Sequence, residues 1–275
     1  MTGYRIMLAA IAAIALTAIA PEASGGGGTP ITFCGQTVTT NAVLLLDLAC
    51  TGDGVVVGAA GIKIDLDGHS IQGDGVTEDV GVDVAGFSNI TVSNGVLRNF
   101  NTGIYSNGAS HMTVSNIIAT GSNYGIWAVG GESVSISSSV TSGDGTGVFI
   151  QQASPSVKSL TSSGNTFEGL QIQGQGLKVA SSTISGNGRN GINASGDFGS
   201  IKSTVVSGNG AIGISYFFQA EAVQLKGNKV WGNGFAPSDL VGLGISVQYT
   251  TVPPIGKNTV RGNDDPAECS PVFIC

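Results

Sequence analysis

Apolar positions in this chain recur with a period far longer than that of a helix or a single strand. Laid out in rows of 22, the sequence places a glycine at the head of every row: Gly81, Gly103, Gly125, Gly147, Gly169, Gly191 and Gly213. The next position is always aliphatic (Val82, Ile104, Ile126, Val148, Leu170, Ile192, Ile214), and two residues on stand Val84, Ser106, Ala128, Ile150, Ile172, Ala194 and Tyr216. Inward residues at every second position define a strand with one buried face. A second alternating pair follows, as Ile90/Val92, Met112/Val114, Val134/Ile136 and then Val179 or Ile201, slipping by one residue after the third row. Val96, Ile118, Val140, Ile184 and Val206 supply a third apolar position. Each row therefore predicts three short strands and three turns. Twenty-two residues leave no room for a crossover helix, and after the first twenty residues no segment shows 3.6-residue periodicity, so the pattern predicts an all-β parallel solenoid.

In such a stack the same row position lines up on successive rungs about 4.8 Å apart. Ser93, Ser115, Ser137, Ser159, Ser181 and Ser203 are spaced by 22 and predict one ladder; Asn165, Asn187 and Asn209 predict another, each within a Ser-Gly-Asn turn. Both are expected to satisfy turn backbone rather than to carry chemistry. The rows continue outward as Gly61-Ile62-Lys63-Ile64 and Gly244-Ile245-Ser246-Val247, the latter after a nine-residue excess that holds Asn233, Phe235 and Asp239 and follows Trp231.

The two ends add a location. Arg5 and an uncharged run from Ile6 to Ala20 have the form of a secretory signal peptide, too short to span a bilayer and followed by Pro21, Glu22 and Gly25 to Gly28. A secreted protein with no membrane contact after cleavage is expected. Four cysteines sit at the ends of the chain, and an elongated stack keeps the ends too far apart to be bridged, leaving Cys34 with Cys50 and Cys269 with Cys275. The expected organisation is a signal peptide over 1–24, a Gly-rich linker over 25–33, a disulfide-bonded N-terminal cap over 34–60, the parallel β-helix over 61–265 and a disulfide-bonded C-terminal cap over 266–275. Charged residues make up 11% of the chain, with a net charge of −7 and no run of basic residues, which argues against nucleic acid and anionic membranes as partners.

The glycine-aliphatic rows, together with Ile64-Asp65-Leu66-Asp67-Gly68-His69-Ser70-Ile71, resemble the pectate-lyase-like superfamily of right-handed parallel β-helices. Cys34-Gly35-Gln36-Thr37-Val38, followed by Asp47-Leu48-Ala49-Cys50, resembles a class of exported bacterial β-helix proteins. The resemblance implies a right-handed coil and, by association, a polysaccharide or cell-surface glycan as partner. It does not imply one activity, because the scaffold hosts lyases, hydrolases, epimerases, adhesins and structural spikes.

In the enzymes of this superfamily the substrate groove lies on the sheet built here from the glycine-aliphatic strands, so the outward third row position matters most: Asp83, Tyr105, Trp127, Phe149, Gln171, Asn193 and Ser215. Tyr105, Trp127 and Phe149 on consecutive rungs are the expected sugar platform; the competing reading is an aromatic ladder that packs on itself. Residues preceding the glycines, Asn101, Asn123, Tyr124, Glu168, Arg189 and Asn190, are expected to line the same groove. Asp74, Glu78, Asp79 and Asp83 crowd its first rungs. Mutual repulsion there can raise a carboxyl pKa for general acid or base work, with Asp79 and Asp83 the candidates, or the four can hold Ca²⁺; otherwise they are a solvated acidic edge. Complete family motifs are missing. Asn101-Thr102-Gly103 lacks the aspartate of polygalacturonases, Tyr124-Gly125-Ile126 is not followed by the Asp-Pro-His-Asp of mannuronan epimerases, and Arg189 lies five rungs, about 24 Å, from the acidic cluster. Asp65, Asp67 and His69 are expected to cap a turn, and His111 has no nucleophile beside it in sequence. The functional expectation is a secreted glycan-binding β-helix, enzymatic or not, against a structural or adhesive surface protein.

Overall fold

A computed structural model describes residues 27–75, 78–219, 223–234, 243–249, 256–265, 268–271 and 274–275. The expected signal peptide, Phe235 and Asp239 lie outside the described residues. Every pairing among the described strands is parallel, and the strands stack into three faces. The first face is an 11-stranded sheet that includes Val80–Ala85, Thr102–Asn107, Tyr124–Glu132, Thr146–Ala153, Leu170–Gln173, Ile192–Ser195, Ile214–Phe217 and Ile245–Gln248. The second face runs through Ser135–Ser137, Ser156–Lys158, Lys178–Ala180, Ser200–Lys202 and Gln224–Lys226; the third runs through Val140–Ser142, Thr161–Ser163, Thr183–Ser185, Val205–Ser207 and Lys229–Trp231. Thr91–Arg98 and Thr113–Thr120 each pass unbroken from the second face to the third and join them in one 18-stranded sheet.

The core is a set of columns. On the first face Val82, Ile104, Ile126, Val148, Leu170, Ile192, Ile214 and Ile245 stack rung on rung, all fully buried, as their row position predicts. Each buried aliphatic side chain is worth about 1.5–3 kcal/mol. Val92, Val114, Ile136, Val157, Val179, Ile201 and Leu225 form the matching column of the second face. The third face departs from expectation. Its inward column is Leu97, Ala119, Thr141, Ser162, Ile184 and Val206, whereas Val96, Ile118 and Val140 point outward and Ile118 is 43% exposed. One coil is a residue short. Ser135 pairs with Ser156 and Thr141 with Ser162, 21 residues apart, while the first face keeps its spacing of 22. The missing residue is restored in the turn before Gly169. The same slip divides the predicted serine ladder: Ser93, Ser115 and Ser137 are strand residues, but Ser137 pairs with Lys158. Ser159, Ser181 and Ser203 instead occupy the following corner with φ of 54°, 52° and 52°.

The asparagine ladder is longer than three rungs. Backbone N–H groups of Asp144, Asn165, Asn187, Asn209 and Asn233 donate in turn to the Oδ1 of Asn165, Asn187, Asn209, Asn233 and Asn263, at 2.9–3.1 Å. The Nδ2 groups of Asn165, Asn187, Asn209 and Asn233 donate to the same oxygens at 2.8–2.9 Å. Asn263 Nδ2 donates to Glu268 Oε2 at 2.6 Å, and that carboxylate ends the column. The next rung explains the glycines. A Cβ at any row head from Gly81 to Gly213 would meet the backbone carbonyl of the following row's glycine at 2.5–3.0 Å, and at Gly169, Gly191 and Gly213 it would also meet a ladder amide, Asn187, Asn209 or Asn233 Nδ2, at 2.6–2.8 Å. A second column closes another corner, with Ser139, Ser182, Thr204, Asn228 and Asn258 each accepting a backbone N–H from the coil before.

The ends are stapled as expected. Cys34 and Cys50 are bridged with Cα atoms 5.6 Å apart, and Cys269 and Cys275 with Cα atoms 6.1 Å apart. Cys269 pairs with Ile245, so the second bridge sits on the last described rung of the first face. At the other end the ladders begin at Thr29–Ile31, which pairs with Ala42–Leu44, and that strand pairs with Lys63–Asp65. The segment expected to be a cap is thus laddered directly to the coils after it.

Asp144 occupies an asparagine position. Its Oδ1 accepts the Ser122 N–H at 2.8 Å, while Oδ2 is buried without a hydrogen bond. That oxygen stands where the other rungs place Nδ2: it would be 2.8 Å from a Cβ on Gly125. Protonated, it supplies a donor as Nδ2 does; ionised, it leaves a charge in the core. Burial pushes this carboxyl up from 3.8 to about 7, with the Ser122 N–H working against the rise. A folded-state pKa above the unfolded one means that the protonated group favours the fold. Its contribution is complete below about pH 4 and is lost as pH rises to about 7. Asp144→Asn is therefore expected to be more stable than the parent at pH 8, by up to a few kcal/mol at about 1.4 kcal/mol per pKa unit. Urea unfolding of both proteins at pH 5 and pH 8 checks this: the gap must widen with pH, and an equal gap contradicts the assignment.

Candidate functional site

Strand register sets the outward face. On the first face Asp83, Tyr105, Trp127, Phe149, Gln171, Asn193, Ser215 and Ser246 pair in one unbroken column, as the third row position predicts. The rings do not lie flat on the sheet. Tyr105 and Phe149 meet Trp127 edge to face, with centroids at 5.5 and 6.0 Å and planes at 80° and 86°. Tyr124 tilts over the indole at 4.8 Å and 33°, and it meets Phe149 edge-on at 6.2 Å. Edge-to-face contact places the positive rim of one ring on the negative face of the next and stabilises the group without a ligand. The four rings are half-buried, and Trp127 Nε1 is buried with no acceptor. The platform is thus one self-packed aromatic cluster of four residues.

The groove edge is partly tied down as well. Asn123 Nδ2 donates to Asn101 Oδ1 at 2.8 Å, one rung to the next, and Asn190 Oδ1 accepts the Ile212 N–H at 3.0 Å. Glu168 is half-buried beside Gly169, and its carbonyl accepts the Gly147 N–H. Arg189 is exposed, with its guanidinium 4.7 Å from the Phe167 ring centre in a cation–π contact. The column confirms that five rungs separate its row from that of Asp83.

At the other end of the column Asp83 Oδ1 accepts the Ala85 N–H at 2.8 Å. Burial raises the Asp83 carboxyl above the ordinary range; the Ala85 N–H opposes the shift and Asp53 adds to it. Asp79 is raised too, first by desolvation and then by the charges of Asp74, Asp53 and Glu78. Asp53 was not among the predicted residues. It lies outside the 22-residue rows, yet its Oδ1 accepts the Val80 N–H at 2.8 Å and draws it into the acidic end. Among the described residues, no group of three or more His, Cys, Asp or Glu is placed to hold a metal ion, the acidic cluster of Asp74, Glu78, Asp79 and Asp83 included.

The remaining polar candidates lie at turns and corners. Asp65 Oδ1 accepts the Asp67 N–H at 2.9 Å and the Asn94 amide at 3.1 Å. His69 Nδ1 is 3.4 Å from Asp47 Oδ1, which also accepts the Ser70 N–H. His111 sits in a corner with φ of 58°. Reading one row position alone missed a second outward column, Asn107, Val129, Gln151, Gln173, Ser195, Phe217 and Gln248, two residues further along each strand. The period-2 rule marks it equally well. Gln151, Gln173 and Gln175 line a shallow depression that continues past Ser195 and Asp197 to Phe217 and Gln219.

Residues 48–176 and 102–265 match the protein family described as right handed beta helix region. The chain belongs to that family. No curated protein sequence matches it. Among solved structures, the A-module of the Azotobacter vinelandii mannuronan C-5 epimerase AlgE4 superposes with a TM-score of 0.62 at 12% identity, covering 86% of this chain and 77% of the module. The Dettilon tailspike protein superposes with a TM-score of 0.50 at 14% identity, covering 79% of this chain and 54% of the tailspike. At these identities the likeness is one of fold.

The ring geometry is open to a direct check. Trp127 and Trp231 are the two tryptophans, and Trp231 is 38% exposed on the third face. Acrylamide should quench the Trp127 emission of Trp231→Phe less than the Trp231 emission of Trp127→Phe. Tyr124→Ala, added to Trp231→Phe, should raise quenching toward the Trp231 level; no change would place Tyr124 away from the indole.

Proposed function

We propose that this β-helix is a secreted protein that binds polysaccharide along its first face. The observation that carries the reading is the continuous outward column, in which half-buried rings on three rungs give way to Gln171, Asn193, Ser215 and Ser246. Apolar ring surface beside amides and hydroxyls matches the two sides of a sugar, its C–H face and its hydroxyl rim. One solved neighbour is an epimerase named for mannuronan, an anionic polysaccharide, which supports polysaccharide as the ligand class while the charge of the ligand is read from this face. Secretion rests on the expected signal peptide and on two disulfides, which persist in oxidising compartments. The outward columns of this face carry no Lys or Arg among the described residues, so a neutral glycan fits better than a polyanion.

If the face is catalytic, Asp79 and Asp83 are the groups for proton transfer, because a carboxyl with a raised pKa holds its proton closer to neutrality. Asn101, Asn123, Tyr124, Glu168 and Arg189 then bound the groove. One observation favours a second reading, a structural or adhesive surface protein: the edge-to-face cluster satisfies its own rings.

A glycan array and a turnover screen on the parent, Trp127→Ala and Gln171→Ala/Asn193→Ala, each with thermal unfolding, separate the two. The proposal expects a neutral glycan to be bound by the parent and about tenfold or more weaker in the double variant at unchanged melting temperature. Absence of any glycan ligand, with Trp127→Ala only lowering stability, sinks it in favour of the structural reading.

A further inference from the structure

We infer a second binding surface on the second face: a single-file strip of lysines that takes a linear anionic polysaccharide. It does not rest on the first-face reading. Ser156-Val157-Lys158, Lys178-Val179-Ala180, Ser200-Ile201-Lys202 and Gln224-Leu225-Lys226 are consecutive rungs whose central aliphatic residue points inward, which turns both flanking residues out. Lys158, Ala180, Lys202 and Lys226 share one column, and the backbone extends it. The corner N–H groups of Ser138, Ser159, Ser181, Ser203 and Gly227 donate to the carbonyls of Lys158, Ala180, Lys202, Lys226 and Lys257. Lys257 is thus the next member, and Lys178 stands beside Ala180 where the column lacks a cation. Five consecutive rungs each present one ammonium group, over about 19 Å at about 4.8 Å per rung.

No ion pair crosses this line among the described residues. The other outward residues of these strands are Ser156, Ala180, Ser200 and Gln224, and among the described residues none of the five lysines joins an ion pair. Asp197, in the turn leading into Ser200–Lys202, accepts the Gln219 N–H at 2.9 Å. Lys202 and Lys226 are direct cross-strand partners, an arrangement of like charges that costs stability in a bare sheet. The lysines escape notice in the sequence because they stand 20 to 31 residues apart in a chain of net charge −7.

Spacing selects the partner. A chain with one carboxylate per sugar presents its charges singly and in a line, as the strip does. Duplex DNA presents a charge about every 1.7 Å of axis, far denser than one lysine per rung, and an anionic bilayer would engage a broad surface rather than one file. Lysine suits a flexible polyanion, acting as a point charge without fixed hydrogen-bond geometry.

The test is binding of the purified protein to polygalacturonate at several salt concentrations, with dextran as neutral control and duplex DNA and phosphatidylglycerol vesicles as rival polyanions. The parent should bind polygalacturonate and not dextran, with affinity that falls as salt rises. The variant carrying Gln at 158, 178, 202, 226 and 257 should lose about tenfold or more at an unchanged melting temperature, while Arg at the same positions keeps binding. Trp127→Ala should bind polygalacturonate as the parent does, which separates this strip from the first face. The inference is overturned if polygalacturonate is not bound, if the Gln variant binds as well as the parent, or if DNA or vesicles are bound as tightly as the polyuronate.

Discussion

A turn in a stacked coil buries backbone N–H groups that have no strand partner, and the rest of this architecture depends on how those donors are satisfied. Here the solution is one side-chain oxygen per coil. The Oδ1 atoms of Asn187, Asn209, Asn233 and Asn263 each take two donors from the coil before, the backbone N–H and the Nδ2 of the preceding asparagine, at 2.8–3.1 Å. Removing one amide orphans two buried donors, each costing about 1–3 kcal/mol. At Gly169, Gly191 and Gly213 the ladder amides stand 2.6–2.8 Å from where a Cβ would be, and at every row head the carbonyl of the next rung stands within 3.0 Å of it, so glycine follows.

Once that corner is fixed, the alternation of inward and outward residues does the rest. Inward residues stack on all three faces, aliphatic throughout except where Thr141 and Ser162 enter the third, and outward residues line up in columns that can differ completely from face to face. Among the described residues the outward columns of the first face carry rings and amides with no cation, whereas five consecutive rungs of the second carry one lysine each and none of these joins an ion pair. A solenoid separates functions in this way without domains. Residues 22 apart in sequence become neighbours at about 4.8 Å, while residues two apart on a strand stand in parallel columns.

The period of 22, the inward column of the first face, the outward column from Asp83 to Ser215 and both disulfides were legible in the sequence, because each depends on alternation or on spacing. Errors arose where one coil lost a residue. Counting by 22 carried Ser137 to Ser159 and Val140 to Ile184 as members of one column, whereas the 21-residue coil pairs Ser137 with Lys158 and lines Ile184 up with Thr141 through Ser162. The amide ladder was seen in part, since Asn233 and Asn263 stand beyond an insertion and Asp144 does not look like an asparagine. Ring orientation could not be read at all. Row position places Trp127 outward, but only side-chain packing decides that Tyr124 lies over it and that its neighbours meet it edge-on. The lysine strip was hidden by unequal spacing and by a net charge of the opposite sign.

Glycine heads each row because the rung ahead occupies the space a side chain would need, with its backbone carbonyl at every row and with a ladder amide as well at Gly169, Gly191 and Gly213. Thermal unfolding of Gly169→Ala tests it most directly. Gly169 has none of the positive φ that would give alanine a backbone penalty, so the cost must come from Ile184, Asn187 and the Gly191 carbonyl, whose atoms lie 2.5, 2.6 and 3.0 Å from the new Cβ. The account predicts a loss of about 1–3 kcal/mol, as for overpacking a core, together with faster amide exchange at Asn165 and Asn187. A Gly169→Ala protein as stable as the parent, with both amides still protected, would contradict it.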